Sequence, residues 1–183
     1  MPAYITILRG INVSGHNIIP MKELKALMEG LGFENISTYI QSGNVVFNSP
    51  EKNEGKLITK IQDAIAGKFG FKVPVVIRTD KAFKAALDNN PFLKEKDIDA
   101  EKLHITFLAD RPAEENIEKT NTYNYDPDRF IISGREVYVY CPNGYGNTKI
   151  NNTFFENKLK VTATTRNIKT VKELVKMTED AGN

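Results

Sequence analysis

Strand-like and helix-like stretches follow one another as β-α-β-β-α-β between residues 4 and 78, and this order leaves the chain few folds to choose from. Residues 4–8 (YITIL) alternate bulky and small side chains, as a strand does. Pro20 suits the first position of a helix. Leu24, Leu27, Met28 and Leu31 repeat at helical spacing, and Gly32 is placed to stop the helix. Residues 36–40 and 45–47 read as two strands joined by the turn chemistry of Ser42-Gly43-Asn44. Ser49-Pro50 opens a second helix with Leu57, Ile61 and Ile65 in one stripe, and residues 73–78 read as the fourth strand. Both helices are long enough for the crossover that parallel strands need.

The order then recurs. Residues 80–90 read as a helix halted by Asn90-Pro91, followed by a charged stretch to Lys102. Residues 103–108 read as a strand and 113–120 as a helix. Residues 129–132 and 137–140 read as a hairpin around Ser133-Gly134. Thr153 and Glu156 match a capping box for a helix over 153–159, residues 161–163 form a last strand, and Thr170 with Glu173 caps a terminal helix. The expected fold is α/β (α+β): two ferredoxin-like β-α-β-β-α-β halves in tandem plus a C-terminal helix. The halves are expected at 1–79 and 103–183, with 80–102 as a helical connector.

A chain of 183 residues, 40% hydrophobic and 26% charged, can bury a core and need not be disordered. Its net charge of +2 is small for a duplex-binding protein. One cysteine and two histidines exclude an internal disulfide and disfavour a cysteine–histidine metal site. No signal-peptide pattern opens the chain, and no apolar run approaches the roughly 20 residues that span a bilayer. The expectation is a cytoplasmic protein with no membrane partner.

Acidic residues are absent from 9–22, 36–50, 137–155 and 157–172, where the average acid frequency would place about eight. Four segments within these stretches are candidate anion-binding elements. The first, RGINVSG from Arg9, offers Gly10 and Asn12 at a strand-to-helix junction, where backbone N–H groups favour an anion and Arg9 can grip one bidentately. The second offers Gln41, Ser42 and Asn44, although turn chemistry alone explains them. The third, residues 142–153, offers Gly144, Gly146, Thr148 and Lys149; Thr precedes Lys, so it is not a Walker A loop. The fourth, read as a loop before the last helix, offers Thr164, Thr165, Arg166 and Asn167.

These segments hold no carboxylate pair, which disfavours two-carboxylate acid–base chemistry and a Mg²⁺ or Ca²⁺ site. No metal and no cofactor is expected. His16 is the sole general-base candidate near the loops, His104 reads as a satisfied sheet histidine, and Cys141 reads as a small buried apolar side chain.

RGINVSG from Arg9, QSGNVVF from Gln41, Asn90-Pro91-Phe92, LHITFL from Leu103 and TTRN from Thr164 stand in order along nearly the whole chain. In these segments it resembles the bacterial family known as domain of unknown function 1697. It differs in carrying Ser14 where the family pattern has Gly, Thr148-Lys149 where it has Ser-Lys, and Ile168 where it usually has Trp. The resemblance implies a compact α/β fold and no established activity, so no catalytic role is carried over.

The expected function is binding of a small anionic ligand, phosphorylated or carboxylated, in the acid-free loops. RNA binding is an alternative, less favoured because no aromatic recognition motif is present beyond Tyr138 and Tyr140 on one strand. Protein interaction without catalysis is a further alternative. These residues specify neither a reaction nor an oligomeric state.

Overall fold

The computed structural model describes residues 1–181. It divides into two compact units: Met1–Lys84 together with the chain from Glu173 on, and Ala85–Lys172. The division falls inside one helix at each junction.

The first unit contains β1 (Ala3–Leu8), α1 (Met21–Gly30), β2 (Glu34–Tyr39), β3 (Asn44–Asn48), α2 (Glu54–Phe69) and β4 (Val75–Thr79), followed by α3 (Asp80–Asp88). Its sheet has the order β2-β3-β1-β4. All pairs are antiparallel, so each crossover helix joins parallel strands that are not neighbours. Alternation along β1 sends Tyr4 and Leu8 into one core with Val45, Phe47, Val75 and Ile77. On that face α1 contributes Leu24 and Met28, and α2 contributes Leu57, Ile61 and Ile65. Ile5, Ile7, Val46 and Val76, on the other face, are also buried. A strand covered on both faces must be apolar throughout, which is why β1 reads as a nearly continuous hydrophobic run.

The second unit repeats the topology with β5 (Leu103–Leu108), α4 (Glu114–Thr120), β6 (Arg129–Ser133), β7 (Glu136–Tyr140), α5 (Asn152–Leu159) and β8 (Ala163–Asn167). Its strand order is β6-β7-β5-β8, again antiparallel. Short 3-10 turns at Pro91–Lys94 and Ala100–Lys102 precede β5. The terminal helix α6 (Ile168–Ala181) follows β8 directly. The helix-side core joins Leu108, Val137, Val139 and Cys141 to Phe155 and Leu159 of α5.

Three local expectations are corrected. The cap of α5 is Asn151, whose side chain accepts from the Phe154 N–H, not Thr153; Glu156 instead accepts from the Ala163 N–H at 3.1 Å. At α6 the Asn167 side chain accepts from the Thr170 N–H at 2.8 Å, so Thr170 lies inside the first turn. Asn is at least as good a cap as Thr, and each Asn precedes the Thr that the pattern favoured. The last strand is Ala163–Asn167 and not 161–163, so Thr164, Thr165 and Arg166 belong to a strand and not to a loop.

Candidate functional site

In the first unit the candidate residues gather at one rim. The Leu8 N–H donates to the Gly43 carbonyl at 2.9 Å, which ties the end of β1 to the β2–β3 hairpin. Gly43 is required there. It has φ +87°, and a Cβ would lie 2.8 Å from both Leu8 Cβ and Ile11 Cδ1. The buried Asn44 amide donates to the Tyr39 carbonyl at 3.0 Å and to Ser42 Oγ at 2.9 Å, so Ser42 and Asn44 close the turn.

Beyond Arg9 the chain makes a tight excursion before α1. Gly10, Asn12, Ser14, Gly15 and Asn17 all adopt φ between +49° and +76°. For the non-glycine members this costs about 1–3 kcal/mol each, and Asn tolerates it best. Asn12 clasps the excursion: its amide donates to the Ile19 carbonyl at 2.9 Å and to the Gln41 carbonyl at 2.7 Å, and its Oδ1 accepts from the Ile19 N–H at 2.8 Å. Asn12, read from sequence as a ligand group, thus spends its polar atoms on the loop itself. The exposed main-chain N–H groups of Gly10, Ser14 and Gly15 have no protein acceptor among the described residues. Arg9 is half-buried at the base of the excursion. Val13, Ile18 and Ile40 are apolar yet 58%, 55% and 51% exposed on the same rim.

The second unit distributes its candidates differently. Thr164 is buried on β8, and Thr165 Oγ1 bonds to Thr106 Oγ1 and Asn152 Oδ1, both at 2.7 Å. Arg166 donates to the Thr165 carbonyl at 2.9 Å and to Thr164 Oγ1 at 3.2 Å. Burial pushes its pKa down to about 10, which leaves it protonated near neutral pH. Asn167 caps α6. Each of these side chains is engaged in holding β8 and α6.

Lys149 instead lines an open hollow of about 530 Å³ with Asn124, Tyr125, Asp126, Asp128 and Asn147. Thr148, buried beside it, donates to Asp128 Oδ2 at 2.6 Å. Gly144 turns the chain, its N–H donating to the Cys141 carbonyl at 2.9 Å, and Gly146 is exposed beyond it. The third loop is therefore acid-free in sequence but not in space. Sequence reasoning missed Asp126 and Asp128, which arrive from the α4–β6 connection. The available signal was the length of that polar and aromatic connection, residues 121–128, inside a compact unit.

Three other groups read from sequence take clear positions. Cys141 is buried in the core; burial pushes its thiol up, Thr148 opposes this and Asp128 adds to it, so it is a poor nucleophile. His104 stacks on Tyr145 with ring centroids 4.5 Å apart. Its Nδ1 is buried without a partner, so it is not the satisfied histidine expected. Tyr138 donates to the Ala86 carbonyl at 2.8 Å and is buried, which pushes its hydroxyl up to about 12; it offers no open face to a base. No helix among the described residues is long and apolar enough to cross a membrane, and none of their side chains form a cluster fit for a metal ion.

Two β-α-β-β-α-β units, each with a four-stranded antiparallel sheet, define a tandem ferredoxin-like α+β protein. The chain is similar in fold to the structure of conserved bacterial protein SP0830 from Streptococcus pneumoniae, at 24% identity and a TM-score of 0.71 over 96% of this chain and 98% of that one. Residues 1–138 match the family described as "Protein of unknown function (DUF1697)", and the chain belongs to that family. No curated protein matches it.

Proposed function

We propose that the rim of the first unit binds a small organic anion, phosphorylated or carboxylated. The observation that carries this reading is the excursion after β1, where left-handed residues leave the N–H groups of Gly10, Ser14 and Gly15 without acceptors among the described residues. Successive N–H groups, such as those of Ser14 and Gly15, form anion-binding nests. The start of α1 adds to this, because no side chain caps it. Arg9 supplies charge at the base of the loop. Val13, Ile18 and Ile40 give the organic part of such a ligand an apolar surface, which distinguishes it from a bare inorganic ion.

The test is a melting-temperature screen against inorganic phosphate, sugar phosphates, nucleotides, small carboxylates and short oligonucleotides, with Arg9→Met alongside. An organic anion that binds only the native state raises the melting temperature by mass action. The expected result is a larger shift with an organic phosphate or carboxylate than with inorganic phosphate, reduced in Arg9→Met. No shift across the panel, with both proteins cooperatively folded, would refute the reading. A shift with oligonucleotides alone, fading with salt, would replace it by nucleic-acid binding.

A further inference from the structure

The hollow of the second unit has charges of both signs facing one space. Asp126 and Asp128 lie on the α4–β6 connection and Lys149 on the β7–α5 connection, and all three line it. Among the described residues Lys149 nevertheless forms no ion pair with either carboxylate. Internal bonds hold Asp128 and the backbone of the α4–β6 connection. Asp128 is fixed by the Thr148 hydroxyl at 2.6 Å, and Thr148 Oγ1 in turn accepts from the Ile150 N–H at 3.3 Å. The Asp126 N–H donates to Asn124 Oδ1 at 3.0 Å, and the Asp128 N–H donates to the Tyr125 carbonyl at 3.0 Å. The Tyr125 ring is stacked on Tyr123 at 6.2 Å and meets the Phe154 ring edge-on at 5.5 Å.

A hollow of about 530 Å³ lies within the size range of small-molecule sites. A plain anion entering it would meet two carboxylates, and a plain cation would meet Lys149. A ligand with both charges a short distance apart satisfies both walls at once.

We propose that this hollow binds a small zwitterion of the α-amino acid class, with its ammonium at Asp126 and Asp128, its carboxylate at Lys149, and its side chain toward Tyr125. Asn124 and Asn147 supply neutral hydrogen-bonding groups to either end. The site is separate from the rim of the first unit and does not depend on that reading. Asp128, held by Thr148, and the packed Tyr125 ring are preorganised, which lowers the ordering cost of binding.

The test is a melting-temperature screen with the twenty free L-amino acids, each beside its N-acetyl derivative and its carboxamide, followed by calorimetry on any compound that shifts. Asp126→Asn and Lys149→Met alter exposed side chains and leave the cores intact. The expected result is binding of at least one free amino acid, weakened about tenfold or more by either substitution and by blocking either charged end of the ligand. Three outcomes overturn the proposal. Equal binding of the carboxamide makes the hollow a cation site. Equal binding of the N-acetyl derivative makes it an anion site. Failure of all twenty to shift the cooperatively folded wild type leaves it without such a ligand.

Discussion

The two units share a topology down to single hydrogen bonds, yet they differ where each is elaborated. Leu8 at the end of β1 donates to the Gly43 carbonyl of its hairpin, and Leu108 at the end of β5 donates to the Arg135 carbonyl of its own. Arg78 pairs with Ile5 in register, as Arg166 pairs with Ile105. Each arginine donates to the carbonyl of the residue before it, at 3.0 Å and 2.9 Å. In the first unit the long irregular segment follows β1, at the end of the sheet that carries the β2–β3 hairpin. In the second unit the β5–α4 connection is short, and the long segments are α4–β6 and β7–α5, at the opposite end of the same topology. Helix length accounts for part of this. α1 and α2 run 10 and 16 residues, but α4 and α5 run only 7 and 8. The shorter helices cover less of the sheet, and the rings of Tyr125, Phe130, Phe154 and Phe155 pack there. A repeated fold fixes the scaffold and leaves each copy free to place a site on different loops.

The comparison breaks most visibly at the hairpin glycines. Gly43→Ala forces a Cβ against Leu8 and Ile11 at a left-handed φ, and is expected to cost about 3 kcal/mol in denaturant unfolding. Gly134, the hairpin glycine of the second unit, lies one residue before Arg135, the register counterpart of Gly43; it has φ +60° with nothing within 4 Å of a built Cβ, so Gly134→Ala should cost only about 1 kcal/mol. Equal losses would show that the close approach at Gly43 does not matter.

A smaller difference of opposite sign is expected at the central threonines. Thr106 shares a hydrogen bond with Thr165, whereas the Thr6 hydroxyl is buried without a partner. Thr106→Val should therefore lose about 1 kcal/mol, and Thr6→Val should gain up to about 1 kcal/mol because an unsatisfied polar group leaves the core. Matching urea titrations check both.

The smallest effect concerns the second residue of the pair Tyr4 and His104. Tyr4 donates to the Glu51 carbonyl and does not titrate near neutral pH. The His104 pKa is lowered by burial, opposed by the Lys102 main chain nearby. The unfolded chain, with a histidine pKa of about 6.5, then takes up the proton first, so stability is full above that pH and declines as pH falls toward the folded value. His104→Gln should flatten this slope in urea unfolding measured between neutral and mildly acidic pH. An unchanged slope would assign the acid sensitivity to other groups.

Much of this was legible in the chain itself. Apolar runs marked β1, β3, β5 and β7 because both faces of each sheet are covered. Helical stripes and stop signals placed α1 and α2, with Gly70 ending α2 in the left-handed conformation. The segments ITIL at Ile5 and ITFL at Ile105 even show the repeat directly.

What the sequence determined on its own was set by interactions within a turn or two: periodicity, caps and hairpin chemistry. Tertiary structure decided the rest. The polar run Thr164 to Arg166 looks like a loop, but β5 supplies a ladder and Thr106 a hydroxyl, and threonine fits a pleated surface well. Depletion of acids in one stretch implied an anion site at Lys149, but Asp128 returns from 20 residues away to bond Thr148. Charge along a chain is local, whereas the field a ligand meets is summed over every residue the fold brings to that place.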